Sequence, residues 1–164
     1  MRAAELRPAW VVIRSVKRVL VIGMLAAAGL WTTSAQAVTH PPRAAFSHYV
    51  CRQAQNPQHR EISVTAVMRP LHGTQHMAIK FSLLREAAGE NSFHHVHVGD
   101  LDKWISPKDP TLGQRPADVW KLDKVVSNLA GPDVYRLKAT FRWTGARHRV
   151  LGETSRQTPV CVAD

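Results

Sequence analysis

Between Val134 and Trp143 the chain reads VYRLKATFRW, with apolar and polar residues in strict alternation. Tyr135, Leu137, Ala139, Phe141 and Trp143 fall on one side, and Arg136, Lys138, Thr140 and Arg142 on the other. Successive side chains of a strand point to opposite faces, whereas a helix would scatter this pattern around its axis, so the stretch predicts a half-buried strand. The same period of two recurs. EISVTAVM (61–68) sets Ile62, Val64, Ala66 and Met68 against Glu61, Ser63 and Thr65, and HMAIKFSLL (76–84) sets Met77, Ile79, Phe81 and Leu83 against His76, Lys80 and Ser82. VWKLDKVV (119–126) alternates more loosely, and TPVCVA (158–163) comes last.

Weaker strand signals lie at 45–51, 93–98 and 148–153. Turn residues separate the segments: Gln55-Asn56-Pro57, Arg69-Pro70 through Gly73, Ala87 to Asn91, Ser106 to Pro116, Gly131-Pro132-Asp133 and Gly145-Ala146. No helical period of any length appears. Seven or eight short strands at this spacing predict an all-β fold, an antiparallel sandwich forming one domain over residues 45–164.

The amino-terminal end reads as an address. Met1 to Arg18 carries Arg2, Arg7, Arg14, Lys17 and Arg18 against the single acid Glu5; VLVIGMLAAAGLW follows over 19–31, and a polar stretch ends in Ala35-Gln36-Ala37. That order is a secretory signal over residues 1–37, with 38–44 left as a short tail. The 13-residue apolar run is shorter than the ~20 residues that span a bilayer, and a longer span would bury Arg14, Lys17 and Arg18. An uncleaved anchor is the alternative, and it would be the only membrane attachment. Cleavage removes five bases and one acid, so the net charge falls from +10 to +6. Export and the lack of a clustered basic tract argue against nucleic acid; a moderate positive charge outside the cytoplasm suits an anionic envelope polymer, or serves solubility alone.

Only two cysteines are present, Cys51 and Cys161. In a secreted or cell-envelope location the expectation is one disulfide, pinning the first segment of the domain to the last. The pair fits no redox motif and no zinc site.

Leu129-Ala130-Gly131-Pro132-Asp133-Val134-Tyr135, running into the alternating strand, resembles the E–F corner of fibronectin type III and immunoglobulin-like domains. The resemblance implies an immunoglobulin-like sandwich in which Tyr135 is the corner tyrosine, its hydroxyl bonding back across the turn. Leu137 stands where antibody domains carry a cysteine, and the proline is one place off the fibronectin spacing, so the likeness is to the wider superfamily and rests on about 15 residues. It implies an exported binding module, in a fold that hosts many unrelated functions.

FHHVHV (93–98) is the densest chemistry in the chain. In a strand His95 and His97 share a face while His94 joins Val96 and Val98. Two imidazoles can chelate Cu(II) or Zn(II), but a stable site needs further ligands, for which His72, His76, Met68 and Met77 are candidates; the alternative is a polar sheet face holding no metal. HGTQH (72–76) lacks the glutamate of a zinc-protease signature. Cleavage after Ala37 would place His40 third in the mature chain, where the free amine, two backbone nitrogens and its imidazole form a square-planar set suited to Cu(II).

The polar side of 134–143 forms a cationic row, Arg136, Lys138 and Arg142, continued by Arg147, His148 and Arg149 beyond the turn. The expectation is a docking surface for an anionic polymer or an acidic protein, against the plainer reading of a solvated strand face. Trp104, beside the proline-bearing loop 106–116, is the ring placed to stack on a carbohydrate, with Trp143 and Trp120 assigned to the core. No nucleophile elbow or phosphate-binding loop is present, so no catalytic residue is assigned and a non-catalytic binding role is expected.

Overall fold

The computed structural model describes residues 41–163. The expected signal over 1–37 and the proposed ligand His40 lie outside the described residues.

Nine strands form two antiparallel sheets. They are β1 (Ala44–Arg52), β2 (Glu61–Met68), β3 (His76–Ala87), β4 (His94–Val96), β5 (Trp104–Ile105), β6 (Trp120–Ser127), β7 (Asp133–Thr144), β8 (Val150–Gln157) and β9 (Cys161–Ala163). The smaller sheet has the order β1-β2-β6; the larger runs β4-β3-β7-β8, with β5 also on β3 and β9 also on β7. The apolar side of each alternating segment contributes to one shared cluster, with Ile62, Val64 and Met68 from β2 and Ile79, Phe81, Leu137 and Phe141 from β3 and β7. The two sheets therefore pack face to face over a common core, as in a sandwich.

Strand β6 explains its own loose pattern. Trp120, Leu122, Lys124 and Val126 pair with Met68, Ala66, Val64 and Ile62, so Lys124 occupies a core-side position. Its side chain is only 12% exposed, and its ammonium reaches out between the sheets to Asp100, 2.8 Å away. An inward-pointing charge on an edge strand discourages edge-to-edge pairing with another chain.

The edges of the larger sheet are interrupted strands. β8 and β9 follow one another along β7, in register at Lys138↔Gln157 and then Tyr135↔Cys161, so one extra residue bulges between them. Thr158 fills the gap, donating its N–H to the Leu137 carbonyl and accepting the Leu137 N–H at its hydroxyl. On the opposite edge β3 advances three residues, from Leu83 to Lys80, while the chain beside it runs eight, from Val96 to Trp104. Five residues more than the ladder needs are thrown out as an arch between β4 and β5.

Two features close the ends. Cys51 on β1 is bonded to Cys161 on β9, joining the sheets across 110 residues of chain. Tyr135 lies in the core, 3% exposed, and its hydroxyl donates to the Ala130 carbonyl at 2.9 Å. Burial raises the Tyr135 phenol above its ordinary value, and the neighbouring Asp133 carboxylate adds to the effect. Gly131 in this corner is packed so closely that a Cβ there would meet the Ala163 carbonyl and the Arg60 guanidinium.

Candidate functional site

Strand β7 lies between β3 and β8, which fixes its outer face on both sides. The registers Ala78↔Arg142, Lys80↔Thr140, Ser82↔Lys138 and Leu84↔Arg136 put these eight side chains on one surface, away from the core. Arg136, Lys138 and Arg142 therefore share a face, and Lys80 joins them. Arg142 is tied to Glu153 of β8 at 2.7 Å. Among the described residues no carboxylate comes within salt-bridge reach of Lys80, Arg136 or Lys138. Arg136 stacks on Phe93, its guanidinium carbon 4.7 Å from the ring centroid, and its Nε is buried without a hydrogen-bond partner.

Trp104 enters this surface because β5 pairs with β3 at Lys80↔Trp104. Its half-buried ring takes the Arg142 guanidinium at 3.9 Å and the Lys80 ammonium at 5.0 Å from its centroid, the geometry of cation–π attraction. Next to it opens a hollow of about 440 Å³ walled by Trp104, Pro107, Pro110 and Leu112, with Arg142, His76, His148 and the carboxylate of Asp109 also on its lining. The hollow thus joins aromatic and proline walls to polar groups of both signs, a concave surface beside the strand face.

At the far end of the face stand His95 and His97. Strand β4 ends at Val96, so His97 lies just beyond the strand and not within it, yet its ring meets that of His95 edge-on with centroids 4.5 Å apart. The candidate further ligands His72 and His76 are not there. His95 sits beside Leu84 and His76 eight residues back along β3, about 26 Å at the rise of a strand. Met68 and Met77 are excluded as ligands by burial, at 0% and 1% exposed. Asp102, from the arch between β4 and β5, takes that place: its carboxylate accepts from His95 Nε2 at 2.8 Å and lies 3.5 Å from His97 Nδ1. Partial burial by itself would raise the Asp102 carboxyl, but the hydrogen bonds from Ser82 and His95 and the charges of His95 and His97 outweigh it and hold the group below the ordinary carboxylate range.

The cationic row stops at the end of β7. Arg147 and His148 lie exposed in a 3₁₀ turn with left-handed backbone, and Arg149 caps it, so these three do not extend the strand face. Their local sequence, following Gly145, favours a turn over continued pairing. Three contributors were not singled out from the sequence. Lys80 stood on the polar side of a recognised strand and was legible there; Phe93 and Asp102 lie in irregular chain, where periodicity says nothing about neighbours.

Fold and face together define an all-β, disulfide-linked sandwich with a cationic, aromatic outer sheet surface. Compared with protein-family models, curated proteins and solved structures, the chain matches none.

Proposed function

We propose that the protein is an exported, non-catalytic binding module of immunoglobulin-like topology, and that the outer face of β3 and β7 docks an anionic polymer of the cell envelope. The strand order supports the topology: β1-β2-β6 corresponds to A-B-E and β3-β7-β8 to C-F-G of such sandwiches, with β4 and β5 added at the C edge. The charged, apolar and Ala35-Gln36-Ala37 order of residues 1–37 supports export, as does the single disulfide.

One observation carries the binding reading. Lys80, Arg136 and Lys138 stand together on the two middle strands of the larger sheet, and among the described residues no carboxylate pairs with them. Cations held this way raise the local concentration of an anionic partner without reorganising to meet it. The Trp104 ring and its hollow lie at the same surface and give a sugar ring of that polymer an apolar platform.

The test is co-sedimentation with isolated envelopes of the producing cell. At low ionic strength the Arg136→Glu/Lys138→Glu double variant is expected to bind at least about tenfold more weakly than the parent, and added salt should weaken the parent in the same sense. Equal retention of parent and variant at low salt would remove the cationic face from the account.

A further inference from the structure

We infer that His95, His97 and Asp102 form a binding site for one divalent metal ion of the zinc class, with Ser82 as the positioning residue of its carboxylate. The inference is independent of the docking face proposed above.

The donor atoms of the three side chains all lie within 4.8 Å of one another. Around a tetrahedral ion with bonds of about 2.1 Å, neighbouring donors sit about 3.4 Å apart. His97 Nδ1 and Asp102 Oδ2 are already 3.5 Å apart. His95 Nε2 approaches the other oxygen, Oδ1, at 2.8 Å, so for one carboxylate oxygen to serve as the ligand a histidine must shift as the ion replaces the proton between His95 and Asp102. Both histidines are exposed and can make that adjustment by side-chain rotation. Two imidazoles and a carboxylate are the donor set of zinc sites that keep a fourth position for water. His95 and His97 also line a hollow of about 500 Å³ open to solvent, so both imidazoles can be reached from solution.

What separates this trio from a chance surface cluster is how the aspartate is held. The Ser82 hydroxyl, buried on β3, donates to Asp102 Oδ1 at 2.6 Å, and the Asp102 N–H donates to the Phe81 carbonyl at 2.7 Å. Asp100, two residues earlier in the same arch, is clamped to Lys124 of the opposite sheet at 2.8 Å. The arch is thus tied to both sheets, and the carboxylate is aimed at the histidines by the fold and not by the histidines alone. Outer partners of this kind orient a metal ligand, and losing one typically costs 10–100-fold in affinity.

The test is calorimetric titration of the metal-free, untagged, processed protein with Zn(II) near neutral pH. One equivalent should bind. His95→Ala and His97→Ala should each weaken it at least about tenfold, and Ser82→Ala by about tenfold, whereas Ser82→Thr, which keeps the hydroxyl, should hold the parent affinity. His97, its side chain 86% exposed, can be removed without disturbing the fold, so that variant remains decisive if another fails to fold. His40→Ala should leave the zinc equivalent intact. Absence of zinc binding, binding indifferent to His97→Ala, or binding lost in His40→Ala would each overturn the assignment.

Discussion

With Cys51 and Cys161 both replaced by serine, the domain is expected to lose about 4–5 kcal/mol of stability, the chain-entropy value for freeing a loop of this length. The bridge closes 110 residues, nearly the whole domain. The size of the effect comes from the length of loop the bridge closes in the unfolded chain; in the folded domain the bridge also joins the two sheets. β1 belongs to the small sheet and β9 to the large one, and β9 is held to β7 over only three residues, Asp133 to Tyr135. Besides the bond, the Tyr49 hydroxyl of β1 donates to the Val160 carbonyl just before β9, and Ala163 packs into the core. For a domain of this size the loss corresponds to a fall of about 15–20 °C in melting temperature. Thermal melts of the oxidised protein and the double-serine variant check it; midpoints within a few degrees of each other would show that the bridge is incidental to the fold.

Phe141→Ala is expected to cost about 3–5 kcal/mol, while Lys138→Ala, three residues earlier on β7, should change stability by no more than about 0.5 kcal/mol. Phe141 is fully buried at the middle of the sandwich, and its ring meets Phe46 of β1 with centroids 6.4 Å apart, so truncation opens a cavity where the two sheets touch. Lys138 points the other way, onto the outer face, and among the described residues it has no ion-pair partner to lose. Chemical denaturation of the two variants beside the parent gives both numbers. Comparable losses at the two positions would mean that inner and outer faces of β7 are not what the alternation makes them.

That alternation is the part of the structure most plainly written in the chain. β2 occupies 61–68 as its pattern predicts, and β7 extends the 134–143 segment by one residue at each end. Both are central or near-central strands with one face in the core, where burial enforces the period of two. The loosely patterned 119–126 segment is also a strand, shifted by one residue, and its irregularity is Lys124, which keeps a core-side position by sending its charge to Asp100. β5 was not expected. Two residues are too few to show any period, and Trp104-Ile105 pairs with β3 only because the arch before it returns the chain to that edge.

The candidate sites divide along the same line. Arg136, Lys138 and Arg142 could be placed on one face by counting, because a strand fixes the side of every second residue. His95 and His97 could be grouped by the same count, although His97 keeps its place through the arch and not through the strand. Asp102 was beyond reach. Its approach depends on a five-residue excursion at a sheet edge and on a left-handed backbone at Asp102 itself, with φ of 67°. Neither leaves a periodic trace. Excess residues at a sheet edge re-aim side chains in this way, which is why a functional constellation can form where strand rules stop applying.

Lys80, Arg136, Lys138 and Trp104 share the outer surface of the larger sheet, and among the described residues no carboxylate pairs with the three cations. Backbone amide NMR during titration with polygalacturonate, a polymer of acidic sugars, probes that surface residue by residue. Shifts should concentrate at 78–84, Trp104 and 136–142 and fade as salt is added. Shifts concentrated on β1, β2 and β6, or none anywhere at low salt, would contradict docking at that surface.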